Sequence, residues 1–472
     1  MIDVVLINPG SARAIYQNLS DDLSAIEPPT WCRMIAGWLI DKGFDVAILD
    51  QDAWRWTPEE VAEHVKKLNP KLVAIVVSGQ QPSASTQQMT GASLLAKAIH
   101  GVPKIMVGNH PSALPERTLY EEDVDFVCDG EGPWTVSGLL NGDPLELIPG
   151  LVWKNGSIVQ NPRAALIPID KLHGDVWGML PMSQYRAHTW QCLDGSPRQP
   201  YASIYTTLGC PFKCSFCCIN AFQHSSTYRR RTPSKVVEQI THLYQVYGVK
   251  TFKIADEMFV LDPSHYIPIC EGLAALPFAH ELNIWAYARA DTIRAKDMAV
   301  FRKAGIRWIA LGIESASEHV RDGATKHLDD KDILDTVKSI QDAGINVIAN
   351  YIYGLPDDTL ESMQATLKLS KELNCEFANF YSAMPYPGSR LFDETRQEDL
   401  PKNWSGYSQH SADTTPLPTS MLTSREVLEF RDHAFHSYFE DVRYLSMIEM
   451  KFGAKAVEHI KQMTATRLSR AA

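Results

Sequence analysis

"GCPFKCSFCC", Gly209 to Cys218, holds four of the chain's nine cysteines within ten residues. Cys210, Cys214 and Cys217 have the spacing C-x3-C-x2-C, which lets three thiolates converge on one small volume from a single loop. Three such ligands imply a metal. A structural zinc needs a fourth ligand, for which His224 and Cys218 are the candidates. Cys218 directly follows Cys217, however, and its side chain should point elsewhere. An iron–sulfur cluster with one iron left open fits the triplet better, with Phe216 as an apolar shield beside the third cysteine.

The stretch just before the triplet, "ASIYTTLG", reads as a β-strand, so the cysteines lie on a strand's exit loop. From 201 to 395 this βα alternation occurs six times, at "ASIYTTLG", "KTFKIADE", "NIWAYAR", "RWIALGIE", "NVIANYIYG" and "EFANFYSAMP". That pattern predicts a partial, TIM-like (β/α)6 barrel with its site at the C-terminal strand ends. Residues 1–140 alternate apolar runs such as "DVVLINP", "FDVAILD", "LVAIVVSG" and "KIMVGN" with amphipathic stretches. Apolar runs joined by long crossovers predict a parallel sheet covered on both faces, hence a doubly wound, Rossmann-like α/β domain. Residues 141–200 read as a linker: a hairpin around Asn155-Gly156, then a connection bearing Pro, Trp and Tyr. Residues 396–472 contain a capping box, Thr423 to Glu426, that leads into a helical C-terminal region serving as lid or packing layer.

Composition sets the surroundings. The chain has 472 residues, 45% of them hydrophobic and 21% charged, with a net charge of −11, as expected of a soluble protein of several domains. The acidic balance argues against nucleic acid as partner, and "YRRR" at Tyr228 to Arg231 is read as a solvated face or an anion contact. "MIDVVLINPG" is too short for a membrane span and lacks signal-peptide flanks, so a cytoplasmic protein without membrane contact is expected. Cys32, Cys128, Cys192, Cys270 and Cys375 show no disulfide rhythm and read as buried small hydrophobes.

The cysteine triplet on the exit of a first barrel strand resembles the radical S-adenosylmethionine (SAM) superfamily, and the resemblance extends along the barrel. It implies that Cys210, Cys214 and Cys217 hold a 4Fe–4S cluster whose fourth iron is chelated by SAM. By the same resemblance Asp256 and Glu257 in "IADEMF" meet the methionine amino group, whose N–H groups need strong acceptors. Phe216, Arg289 in "YARAD", and Glu314 and Ser315 in "GIESAS" complete the implied SAM contacts. An external electron donor such as flavodoxin or ferredoxin is implied as partner.

The front domain resembles cobalamin-binding domains in its order of helix, serine-ended strand, glycine-ended strand and Gly-x-Gly turn. The resemblance implies cobalamin contacts at Ser78, Gly79, Gly108, Asn109, His110, Gly130, Glu131 and Gly132. Small residues at strand ends let a flat corrin approach the backbone. The pattern departs from the family at Asn109, where a second glycine is common, and in lacking D-x-H-x-x-G, so no histidine is expected below the cobalt. Together the two resemblances point to cobalamin-dependent radical SAM enzymes, which mostly methylate unactivated carbon in a small-molecule substrate. Ring closure is the alternative within the group, and a non-catalytic iron–sulfur or zinc module the alternative outside it. The substrate pocket is expected between front domain and barrel mouth, lined by the 181–200 connection and the tail, with Tyr205, Tyr351, Tyr353 and Tyr381 as candidate wall residues.

Overall fold

The computed structural model describes residues 2–10, 12–223 and 226–471, which leaves His224 outside the described residues. Seven strands form the first sheet: β1 (Val4–Asn8), β2 (Val46–Asp50), β3 (Leu72–Val76), β4 (Lys104–Val107), β5 (Phe126–Cys128), β6 (Leu151–Asn155) and β7 (Ser157–Gln160). Their order is β2-β1-β3-β4-β5-β6-β7, with β1 to β5 parallel. The five parallel strands thus have a doubly wound arrangement whose order reverses beside β1, and such a sheet binds ligands beyond its strand ends. β3 is apolar throughout, and β1 up to its last residue, Asn8, because helices cover both their faces.

The hairpin expected to belong to a linker instead extends this sheet: β6 pairs antiparallel with β5, and β7 with β6. Trp153 and Leu151 bring apolar surface to the shared core, which fixes the hairpin to the domain. The connection that follows stitches the two domains together. Its Tyr185 hydroxyl donates to Asp50 of β2 at 2.8 Å, while Trp190 packs on Trp285, Trp308 and Phe377 at the foot of the barrel. Gln191 donates to the carbonyls of Phe252 and Asn283 at 3.0 and 3.1 Å. The 181–200 connection therefore plugs the barrel floor, away from the mouth where it was expected.

β8 (Tyr201–Ile204) begins the barrel, and β9 (Thr207–Leu208) pairs with β10 (Arg229–Arg230) across the cysteine loop. β11 (Thr251–Ile254), β12 (Asn283–Ala288), β13 (Ile306–Glu314), β14 (Asn346–Tyr353) and β15 (Phe377–Ser382) follow. The sheet order β15-β14-β13-β12-β11-β8 is parallel throughout and sequential, which is the predicted six-stranded partial barrel. The tail forms helices Ser424–Phe439, Val442–Phe452 and Ala454–Ala465. The first of these opens on the predicted capping box, in which Thr423 and Glu426 each satisfy the other's backbone N–H. Tyr438 and Phe439 pack against the outer face of β15. Cys32, Cys128, Cys270 and Cys375 are buried free thiols, and Cys192 is half-buried. Among the described residues no helix is long and apolar enough to cross a membrane.

Candidate functional site: the barrel mouth beneath the front domain

Gly209 opens the cysteine loop at φ +89°, and a Cβ there would run into the Thr227 carbonyl. The loop is pinned at two further points, where Ser215 N–H donates to Ala324 O at 3.0 Å and Leu391 N–H to Ser215 O at 2.8 Å. Burial pushes the Cys210 thiol up to about 11, with Glu257 and Cys214 adding to the shift. Burial also raises Cys217, aided by the charges of Cys218, Cys214 and Cys210. The three thiols thus oppose one another's ionisation, and iron ions would supply the compensating charge. Among the described residues no three His, Cys, Asp or Glu side chains meet in the geometry of a single-ion site. A cubane cluster takes one thiolate per iron, so its ligands surround a volume and do not meet at a point. Phe216 packs on Val320, Ala324, Leu355 and Ala383, and forms an apolar wall beside the loop.

The acidic pair divides its labour. Asp256 is wholly buried and accepts from Thr206 N–H at 2.6 Å and Thr206 Oγ1 at 2.5 Å, and that hydroxyl also meets His265 Nε2 at 3.1 Å. Its oxygens tie the exit of β8 to β11, so it acts as a positioning group and not as the ligand contact expected. Glu257 behaves differently: its Oε2 is buried without a partner. Burial, with the Asp256 charge, raises its carboxyl to about 8. A buried, unpartnered acceptor beside Cys210 fits an incoming ammonium.

Arg289 lies against the loop, with its guanidinium over the Phe212 ring at 4.0 Å and bidentate to Asp291 at 2.9 Å. Glu314 closes β13 at φ +66°, where the β13–β14 register shifts, and it pairs with buried Lys326. A bulky residue in this left-handed conformation stores strain, as side chains at ligand sites often do. Lys326 comes from an irregular segment and carries no local sequence signal, so it was missed. Ser315 turns away from the mouth, its hydroxyl shared with Thr366 Oγ1 at 3.2 Å and Ser317 N–H at 3.1 Å. It therefore anchors the turn after β13.

Ser78, Gly79, Gly108, Gly130 and Gly132 follow the C-terminal ends of β3, β4 and β5. Gly108 has φ +130° and lies so close to Val77 that no Cβ fits, whereas a Cβ on Gly130 would meet nothing within 4 Å. Ser78 Oγ is buried without a partner. A small-residue crest with one free hydroxyl fits a flat corrin, and Gly130, Gly132, Arg163 and Phe222 line a cleft beside it. His110 and Asn109 are buried beside this crest. The His110 ring meets Trp404 edge-on at 4.5 Å, and burial drives its pKa down to about 3.

Glu131, expected as a cobalamin contact, is committed to an ion pair with Arg229 and accepts from Ile167 N–H at 3.0 Å. The "YRRR" stretch is accordingly an interdomain clamp: Arg229 and Arg231 are largely buried, and Arg230 pairs with Asp262 at the surface. Gln80 of the front domain accepts from Ser203 Oγ at 3.3 Å, and Tyr205 Oη donates to Gln80 O at 3.4 Å. The front domain therefore covers the barrel mouth. Tyr351 and Tyr353 face the outer helices, where they stack on Phe380, so neither reaches this mouth.

Residues 204–370 match the radical SAM superfamily, and residues 21–140 match the B12 binding domain. An uncharacterized methyltransferase of Pyrococcus horikoshii is 29% identical over 460 residues, 93% of this chain and 93% of that protein. An anaerobic magnesium-protoporphyrin IX monomethyl ester cyclase of Cereibacter sphaeroides is 25% identical over 442 residues, 90% of this chain and 68% of that one. The fold is shared with the radical SAM methyltransferase TsrM from Kitasatospora setae, solved with cobalamin and a 4Fe–4S cluster. The TM-score is 0.69 at 15% identity, covering 99% of this chain and 100% of that one.

Proposed function

The chain belongs to the cobalamin-dependent radical SAM enzymes, and from that premise we propose that it methylates an unactivated carbon of a small biosynthetic intermediate. A bound, reduced cluster would supply one electron to split SAM into methionine and a 5′-deoxyadenosyl radical, and bound cobalamin would carry the methyl group. Cys210, Cys214 and Cys217 would hold three of the four irons. The observation that carries the reading is the free Oε2 of Glu257, buried beside the thiol loop and under a cobalamin-type domain.

Glu257 accepts from the SAM ammonium. Before SAM arrives the raised carboxyl holds a proton through neutral pH, and that proton passes to solvent as the ammonium's charge favours the carboxylate. Asp256 keeps the β8 exit in place through Thr206, and Arg289, held by Asp291, lends positive charge beside the thiolates. The front domain excludes water from the mouth, and dryness protects a radical from quenching. Cys214 is half-buried between exposed Lys213 and buried Ser215, so this edge is where an electron carrier such as flavodoxin or ferredoxin would approach.

The test is turnover of the reconstituted enzyme with reductant, a candidate substrate and SAM carrying a deuterated methyl. Methylation gives labelled product together with 5′-deoxyadenosine and S-adenosylhomocysteine in about equal amounts. The similarity to the cyclase of Cereibacter sphaeroides favours ring closure as a second reading. That reaction yields deoxyadenosine with no homocysteine product and no label, and this result would overturn methyl transfer.

A further inference from the structure

We propose that the chamber inside the barrel receives an uncharged, ring-bearing part of the substrate and excludes phosphorylated or nucleotidyl groups. The methyl-transfer reading supplies the reaction, and the chamber wall supplies the substrate class.

The wall is legible in the strand registers. Gly312, Asn350 and Asn379 are aligned across β13, β14 and β15, and Ile352 and Tyr381 form the next row. These five residues and Tyr287 of β12 keep accessible surface, while the residues on either side of them along the strand are buried. Protein nevertheless surrounds Tyr287 and Tyr381 so fully that burial raises both phenols. Residues enclosed by protein and still accessible face an internal space.

Its chemistry is neutral. No hydrogen-bond partner is found for the Tyr287 or Tyr381 hydroxyl among the described residues, so each offers an O–H to an incoming acceptor. Asn379 Nδ2 donates to Asn350 Oδ1 at 2.9 Å, which leaves the Asn379 carbonyl as an acceptor. The nearby cations are already matched. Lys253 lies 3.2 Å from Glu27, a front-domain carboxylate that also accepts from Tyr201 Oη, and Lys326 pairs with Glu314. Arg431 spends its nitrogens on Phe380 O, Asp432 and His410. Among the described residues a phosphate entering here would find no free cation and would have to break a buried pair, leaving a charge uncompensated. A flat neutral ring finds phenol faces to stack on and hydroxyls to bond.

The experiment uses reconstituted holoenzyme with excess SAM and no reductant, and reads binding of two probes with the same ring, p-cresol and p-tolyl phosphate, by saturation-transfer NMR with competition. The expected result is p-cresol binding about tenfold or more tightly than p-tolyl phosphate. Tyr381→Ala should weaken p-cresol about fivefold or more and Tyr381→Phe less, with cobalamin absorbance retained in both variants. Glu27→Gln, which strips Lys253 of its partner, should improve binding of p-tolyl phosphate. Equal or tighter binding of the phosphate by the unmodified enzyme, no binding of p-cresol, or p-cresol binding indifferent to Tyr381→Ala would each overturn the proposal. Failure of the methyl-transfer reading would appear separately, as absent deuterium transfer with probe binding intact.

Discussion

Asp256 and Glu257 are neighbours in the sequence with different surroundings, one bonded to Thr206 and the other with a buried oxygen left over, and the consequence can be measured. Burial lifts the Glu257 carboxyl from its ordinary 4.5 to about 8. A raised carboxyl stabilises the fold below its unfolded value, and that contribution is lost as pH rises through about 8. SAM needs the ionised form. The ionised fraction of Glu257 rises from about a tenth at pH 7 to about nine tenths at pH 9. The ratio of SAM affinity in the unmodified protein to that in Glu257→Gln should therefore climb about tenfold over that range, the titration of SAM's own α-amino group at about pH 8 cancelling in the ratio. Equilibrium dialysis of SAM with both proteins checks this: Glu257→Gln should bind weakly, and an affinity ratio that stays flat with pH would contradict the assignment. The acidic pair was legible in "IADEMF", but the division between its members was not, because it depends on which carboxylate Thr206 reaches. Two of the four strand tyrosines failed for a related reason, whereas Tyr205 and Tyr381 lie where they were expected. Alternation says that Tyr351 and Tyr353 share a face, yet only the closed barrel decides that this face is the outer one.

Elements carry the cluster loop, and Gly209 is the position where the backbone allows least. Its φ of +89° and the proximity of the Thr227 carbonyl leave no room for a side chain. Gly209→Ala should destabilise this turn by about 1–3 kcal/mol and lower iron and sulfide content after reconstitution, with cobalamin binding retained. Full iron loading in that variant would show that the turn does not position the cysteines. The six barrel strands were readable as apolar runs alternating with helical stretches, since each is covered by helices on its outer face. The Asn155-Gly156 hairpin was readable as a hairpin, but its place in the front sheet was not. Pairing with β5 depends on an edge that exists only once the sheet has formed.

The whole molecule is two domains joined by buried polar and aromatic contacts, and the expected linker residues supply several of them. Trp190 fills the barrel floor, where burial of such a side chain is worth on the order of 3 kcal/mol. Glu131 and Arg229 form a nearly buried pair across the seam. Removing one partner from such a pair costs about 3–5 kcal/mol, so Arg229→Ala should lower the melting temperature and open the seam to protease while cobalamin still binds the front domain. Unchanged melting together with lost cobalamin would restore Glu131 to the role of cobalamin contact. The resemblance placed Glu131 at the cofactor because a Gly-x-Gly turn gives a position and not a partner; Arg229, 98 residues away, is found only by folding the chain. The central claim is that one loop holds a 4Fe–4S cluster with an iron open to SAM. Its most direct test is electron paramagnetic resonance of the anaerobically reconstituted, reduced protein with and without SAM, beside Cys214→Ala and Cys218→Ala. The triplet assignment predicts a 4Fe–4S signal that SAM perturbs, lost in Cys214→Ala and kept in Cys218→Ala; one zinc per chain and no SAM-sensitive signal would contradict it.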